Sequence, residues 1–217
     1  MPFLETLARR HSVVTAVSQP DAPAGRSLKI QPTPVKAKAA ELGIPVFQPQ
    51  RPAHITRELA ALKPDLAVVV AYGRLLKAET LAVPVLGTLN VHFSLLPKYR
   101  GAAPVQWSLV HGETRTGVTL FWLDEGMDTG PICLSRSVAI ETDDDAQSLF
   151  NKLIPLGVLA LEDALCDLEA GKTHRAPQTG EPSLAPLIKK EDARLSLQMT
   201  AFEIHNLARG MRLWPRA

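Results

Sequence analysis

Cysteine is scarce in this sequence. Only Cys133 and Cys166 occur, far apart and with no CxxC pair, in a chain of 217 residues. That excludes a disulfide framework and a zinc knuckle, and both residues read as buried, reduced thiols. No cluster of His, Cys and acids has metal-ligand spacing, so no metal is expected. Long apolar runs are missing too. The run at 66–72 falls far short of the ~20 residues a membrane helix needs, which excludes a membrane-spanning role. Residues 1–10 lack a basic end followed by an apolar stretch and a small-residue cleavage site, so no secretory signal is expected and a cytoplasmic location is.

Neither sign of charge dominates. Lys and Arg number 24, Asp and Glu 22, for a net charge of +2. With 46% hydrophobic and 21% charged residues, the chain is neither disordered nor collagen-like. The 18 prolines exceed an average share of about 5% and imply many fixed turns. The charge is unevenly spread. Residues 124–170 carry eleven acids against two bases, so the remainder is basic. A basic majority suits a polyanion such as RNA. The same acids also read as solvated helix ends and faces.

Short apolar runs alternate with helix-like segments. Strands are expected at 12–17, 44–47, 66–70, 88–91, 117–123 and 132–140. Helices are expected at 2–10, 35–42, 55–62, 103–110, 144–171 and 200–211. The run 66–70 is continuously apolar, as in a strand buried on both faces. Alternating strands and helices imply right-handed crossovers and an α/β fold with a mostly parallel sheet. Pro155 bends or breaks the long helix. Thr200 and Glu203 form a capping-box pattern. Residues 172–190, with Pro177, Pro182 and Pro186, read as a linker.

In open α/β sheets, ligands bind beyond the carboxyl ends of the strands. Asn90 and His92 lie at such an end. They project from one face of an extended chain, about 6.5–7 Å apart. An amide there can stabilise a developing oxyanion, and an imidazole can move a proton. The loop 124–130 holds three acids, Asp124, Glu125 and Asp128. One acid pairing with His92 would raise its pKa and fix its tautomer. Spacing does not choose among the three.

The stretch from Asn90 to Pro97, continued by Lys98, Tyr99, Arg100, Gly101, Ala102, Ala103 and Pro104, resembles a signature of the folate-dependent formyltransferases. Residues 124–130 resemble their second signature. Residues 18–26, 34–36 and 68–73 resemble the members whose acceptor is methionyl-tRNA. The resemblance spans residues 2–217. It implies a Rossmann-like catalytic domain over 1–171, the linker 172–190, and over 191–217 the start of a C-terminal tRNA-binding domain. It implies that the family's first strand, before Pro2, and its C-terminal barrel, after Ala217, are missing here.

The implied reaction is transfer of the formyl group of 10-formyltetrahydrofolate, the cosubstrate, to the amine of initiator methionyl-tRNA by a monomer. The motif match assigns catalysis to Asn90, His92 and Asp128. It assigns folate contacts to Ser94, Leu95, Leu96, Pro97, to Val70, Ala71, Tyr72, Gly73, and to Asp124, Glu125, Gly126 and Met127. It assigns tRNA contacts to Arg26, Lys29, Lys36 and Lys38. Two other readings remain. One is a folate-binding remnant without turnover. The other is formyl transfer to a small acceptor, or hydrolysis of formyltetrahydrofolate; Phe121 and Trp122, before the acidic loop, faintly resemble formyltetrahydrofolate dehydrogenase.

Overall fold

The computed structural model of the chain describes residues 1–24, 29–51 and 53–217. Two compact units divide at Leu89/Asn90, not near residue 171. Residues 172–217 belong to the second unit.

The first unit opens with helix α1 (Pro2–Arg10), followed by the two-residue strand β1 (Ala16–Val17). A hairpin of β2 (Ala22–Ala24) and β3 (Lys29–Gln31) follows, in a stretch where the sequence predicts no strand. Helix α2 (Pro34–Glu41) starts where Thr33 caps the Lys36 N–H, with proline in its first turn. Proline is favoured there because its missing N–H has no partner to lose. Strand β4 (Val46–Phe47) pairs parallel with β1. Ala16, Ala39 and Ile44 form the buried centre, with Leu4, Val13 and Val35 against it. Helix α3 (Ala53–Leu62), strand β5 (Ala67–Val70) and the short helix α4 (Ala78–Leu81) complete this part.

Strand β6 (Thr88–His92) carries the chain into the second unit. There β7 (Arg100–Gly101), helix α5 (Pro104–Val110), β8 (Arg115–Trp122) and β9 (Ile132–Ala139) follow. The strand order is β6-β8-β9, and the β8–β9 pair is antiparallel. From Thr116 to Trp122 every residue of β8 is buried. This explains its unbroken apolar and β-branched run, since a strand covered on both faces has no polar side to show.

Helix α6 (Ala146–Glu169) packs on β8 and β9. Asp145 caps it by accepting the Ser148 N–H, and the Ser148 hydroxyl accepts the Asp145 N–H. Asp144 is buried, bonded to Ser148 and Lys152. These acids therefore serve as helix caps and not as a free charged patch. The helix runs through Pro155 without ending. An interior proline, which loses a hydrogen bond and crowds the carbonyl one turn earlier, costs about 3 kcal/mol. Burial of Leu149, Leu153, Leu161 and Leu165 on the sheet offsets it at about 1.5–3 kcal/mol per side chain. Cys166 is exposed, whereas Cys133 is buried. One helical residue past Leu165 turns the side chain about 100° away from the sheet.

Residues 172–190 are no free linker. They run as an extended strap whose short strand β10 (Leu184–Ala185) pairs parallel with β7. A 3₁₀ turn (Lys190–Ala193) leads to helix α7 (Ala201–Gly210). The capping box expected at Thr200 and Glu203 is present. Helix α7 packs on α5, where Ala103, Ile188, Leu207 and Met211 form a buried cluster. Met211 is fully buried. Met211→Ala should lower the unfolding free energy in urea by about 2–5 kcal/mol. A loss below about 0.5 kcal/mol, the range of ordinary surface changes, would show that this cluster does not hold α7 in place.

Candidate active site

Asn90 and His92 end strand β6, separated by the buried Val91. Strand alternation sets both on one face. His92 sits with its side chain 7% exposed, edge-on to the Phe121 ring, whose centroid is 6.2 Å away. Its Nε2 lies 2.8 Å from the main-chain oxygen of Tyr99. A carbonyl only accepts, so Nε2 carries the hydrogen and donates it. In the neutral imidazole, Nδ1 then holds a lone pair.

That lone pair faces an acid. Asp128 Oδ2 is 3.6 Å from His92 Nδ1. The three acids of the loop thus have separate places. Asp124 accepts from the Gly126 N–H and the Thr129 hydroxyl and so closes the turn. Glu125 is exposed. Asp128 alone turns toward the imidazole, and its Oδ2 also accepts the Gly101 N–H at 2.7 Å.

Burial pushes the His92 pKa below its ordinary value, while the Asp128 charge and the Tyr99 carbonyl pull it upward. Burial wins. An acid beside His92 is expected to raise the pKa and fix the tautomer. The acid does pull upward, but desolvation is larger, and the tautomer is set by Tyr99. The imidazole is neutral near pH 7.

Tyr99 is held at both ends. Its N–H donates to the Ser183 hydroxyl, and its own hydroxyl donates to Glu113. Burial and the Glu113 carboxylate raise the phenol pKa. Gly101 has φ +123°, and a Cβ there would lie 2.6 Å from the Ala185 oxygen. Only glycine lets this backbone approach the strap and still offer its N–H to Asp128. Tyr99 and Gly101 stand in the signature but carry no assigned role there, and Ser183 is not part of it, since each acts mainly through its backbone or a distant partner.

The Asn90 carboxamide is half-buried and has no hydrogen-bond partner among the described residues. Beyond it, Ser94 is fully buried, and its hydroxyl donates to the Lys98 oxygen. The Thr119 hydroxyl donates to the Ser94 oxygen and accepts the Leu96 N–H. Leu96–Pro97 is a cis peptide. The segment Ser94, Leu95, Leu96, Pro97 is therefore shaped by internal bonds that consume the serine side chain. Met127 is exposed beside Gly126.

In the first unit, Val70, Ala71, Tyr72 and Gly73 follow β5. Ala71 and Gly73 have positive φ, and the Gln19 side chain donates to the Tyr72 oxygen at 2.8 Å. The Tyr72 hydroxyl is buried without a partner among the described residues, and burial raises its pKa. An orphaned hydroxyl is a fit for a polar ligand group.

The basic residues differ in availability. Lys36 pairs with Asp21 at 2.6 Å, and Lys38 with Glu5 and Glu41. Lys29 is exposed on β3. Arg26 lies outside the described residues.

A model of the formyl transferase family matches residues 4–165. The methionyl-tRNA formyltransferase of Elusimicrobium minutum is 43% identical over 235 residues, covering 100% of this chain and 71% of that protein. That of Trichlorobacter lovleyi is 44% identical over 220 residues, covering 100% of this chain and 70% of its own length. Among solved structures, an N-formyltransferase from Helicobacter canadensis in complex with folinic acid and dTDP-3-aminofucose superposes with a TM-score of 0.72. It is 21% identical, with 95% of this chain and 74% of that one covered. HypX from Aquifex aeolicus in complex with tetrahydrofolic acid gives 0.67 at 23% identity, with 82% and 31% covered. These two likenesses speak for the α/β fold. The family match takes in Asn90, His92 and Asp128, and the chain belongs to the formyl transferase family.

Proposed function

We propose that the chain transfers the formyl group of 10-formyltetrahydrofolate to the α-amino group of initiator methionyl-tRNA, in the cytoplasm, where translation starts. The observation that carries this reading is the likeness, over the whole chain and at 43–44% identity, to relatives named methionyl-tRNA formyltransferase. The geometry around His92 supplies chemistry that suits it.

The acceptor amine attacks the formyl carbon, and a C–N bond forms as the carbonyl oxygen gains negative charge. The unpartnered Asn90 amide is the donor for that oxyanion. One such donor is typically worth about 2.7–4 kcal/mol. The attacking nitrogen becomes cationic and gives up a proton. His92 Nδ1 is the base available for it, because Nε2 is already committed to Tyr99. The imidazolium so formed faces the Asp128 carboxylate. That ion pair exists only once the proton has moved, so it lowers the transition state and leaves the ground state alone. The proton then passes to the folate nitrogen as the formyl C–N bond to it breaks. Tetrahydrofolate leaves, and His92 is neutral again.

For the folate, the main chain around Ser94, Leu95, Leu96 and Pro97 is preshaped, and the Tyr72 hydroxyl awaits a polar partner. The main chain of Val70, Ala71 and Gly73 in the first unit, and of Asp124, Glu125, Gly126 and Met127 in the second, are further proposed folate contacts. For the tRNA, Lys29 and Arg26 are the proposed phosphate contacts. Lys36 supports the β2–β3 hairpin through Asp21, which Gln48 also holds at 2.7 Å.

Purified chain with 10-formyltetrahydrofolate should formylate methionyl-tRNA, and His92→Ala should lower kcat by roughly 10²–10⁴-fold. Equal rates in the two proteins would contradict the mechanism. Formylation of a free amine but not of methionyl-tRNA would contradict the acceptor assignment.

The pH profile carries a second expectation. Burial keeps His92 unprotonated below its ordinary value, with Asp128 working against that effect. The acid limb of kcat should therefore have its midpoint below about 6.5. Asp128→Asn removes the anion that favours the imidazolium, so its midpoint should fall further while the plateau also drops. A shift to higher pH in that variant would show that Asp128 does not act on His92 by charge.

A further inference from the structure

The strap 172–190 does more than connect. The Trp122 indole N–H donates to the His174 oxygen at 2.8 Å, and Ile132 and Ala176 exchange both main-chain hydrogen bonds. Farther on, Ser183 and Ala185 bond to Pro97, Tyr99, Arg100 and Ala103. The strap thus touches both sides of the site, the Tyr99 side and the Asp128 side. Gln178 lies between these anchors.

The Gln178 carboxamide is fully used. Its oxygen accepts from Arg100 Nε at 3.2 Å and Nη2 at 2.6 Å. Its nitrogen donates to the main-chain oxygens of Asp128 at 2.9 Å and Gly130 at 2.8 Å. The orientation of the amide is unambiguous. A guanidinium only donates and carbonyls only accept, so an amide turned over would lose every bond. Asp128 has φ +54°, a conformation that costs an L-residue about 1–2 kcal/mol. A residue held there needs its surroundings to fix it. Gln178 grips the carbonyls on either side of Thr129. Arg100, its other partner, immediately precedes Gly101, whose N–H holds the Asp128 carboxylate. Gln178, Arg100 and Gly101 thus close a ring through the acid, holding both its main chain and its carboxylate.

We propose that Gln178 is a positioning residue for formyl transfer: by fixing the main chain at Asp128 and Gly130, it sets the direction in which the Asp128 carboxylate meets His92. The inference rests on the formyl-transfer reading for its kinetic consequence, but not for its structural one.

The test uses the full chain labelled with ¹⁵N at histidine, in wild-type, Asp128→Asn, Gln178→Ala and doubly substituted forms. The Nδ1 resonance of His92 senses the facing carboxylate. In Gln178→Ala it should move toward its position in Asp128→Asn, and the double variant should match Asp128→Asn alone. In methionyl-tRNA formylation, Gln178→Ala should lower kcat by on the order of ten- to a hundredfold, with KM for both substrates unchanged. That loss should shrink in the Asp128→Asn background. Gln178→Glu keeps the volume and the Arg100 bond but turns a carboxylate on two carbonyls. It should lower kcat at least as far, and it gives the same readings if Gln178→Ala does not fold. A His92 Nδ1 resonance that stays at its wild-type position in the Gln178 variants while Asp128→Asn moves it would overturn the inference. So would a kcat loss that persists undiminished without the Asp128 carboxylate. A wild-type chain that fails to formylate methionyl-tRNA would defeat the proposed function, and the resonance shift would still decide the role of Gln178.

Discussion

The site depends on one hydrogen bond, from His92 Nε2 to the main-chain oxygen of Tyr99, 2.8 Å long. It decides which imidazole nitrogen carries the proton. With Nε2 committed, Nδ1 is left bare toward Asp128, and the acid can stabilise only a proton that arrives during the reaction. Were the proton on Nδ1 instead, the Nε2 lone pair would be pressed against the lone pairs of the Tyr99 oxygen, and no lone pair would be left beside Asp128. The low-dielectric setting reinforces this. Burial makes the resting imidazolium costly, so the site rests neutral, and in the proposed mechanism it becomes charged only as the proton of the amine arrives.

Holding that bond falls to the backbone more than to side chains. Tyr99 has φ +63° and Gly101 φ +123°, and the strap braces both through Ser183 and Ala185. Asp128 is held at its carboxylate by Gly101 and at its main chain by Gln178. A loop after β6, a loop after β8 and a segment some fifty residues farther along converge on two side chains. Such convergence keeps a strained residue such as Asp128 in place.

Much of this was legible in the sequence where the signal is local. The Thr200–Glu203 capping box and the Asn90–His92 pair are patterns of neighbours, and each is found where the pattern puts it, whereas the apolar run at 66–70, expected to be buried on both faces, forms β5 with every residue only half-buried. The elements that escaped are made by distant pairing. Strands β7 and β10 are two residues each and exist only because they meet. The hairpin β2–β3 is hidden by Pro23, which lies within its first strand. The strap reads as a linker because its bonds go to main-chain atoms and single side chains, which leave no hydrophobic period. The resemblance singled out Asp128 among the three acids. Asp128 is the one whose carboxylate lies 3.6 Å from His92 Nδ1, whereas Asp124 is spent on its own turn. The tautomer could not be foreseen, because a carbonyl seven residues away sets it.

Neutron diffraction from deuterium-exchanged crystals near pH 7.5 tests this account most directly. It predicts nuclear density for one deuterium on His92, on Nε2 and aimed at the Tyr99 oxygen, with Nδ1 bare toward Asp128. Density for a deuterium on Nδ1, with or without one on Nε2, would contradict it.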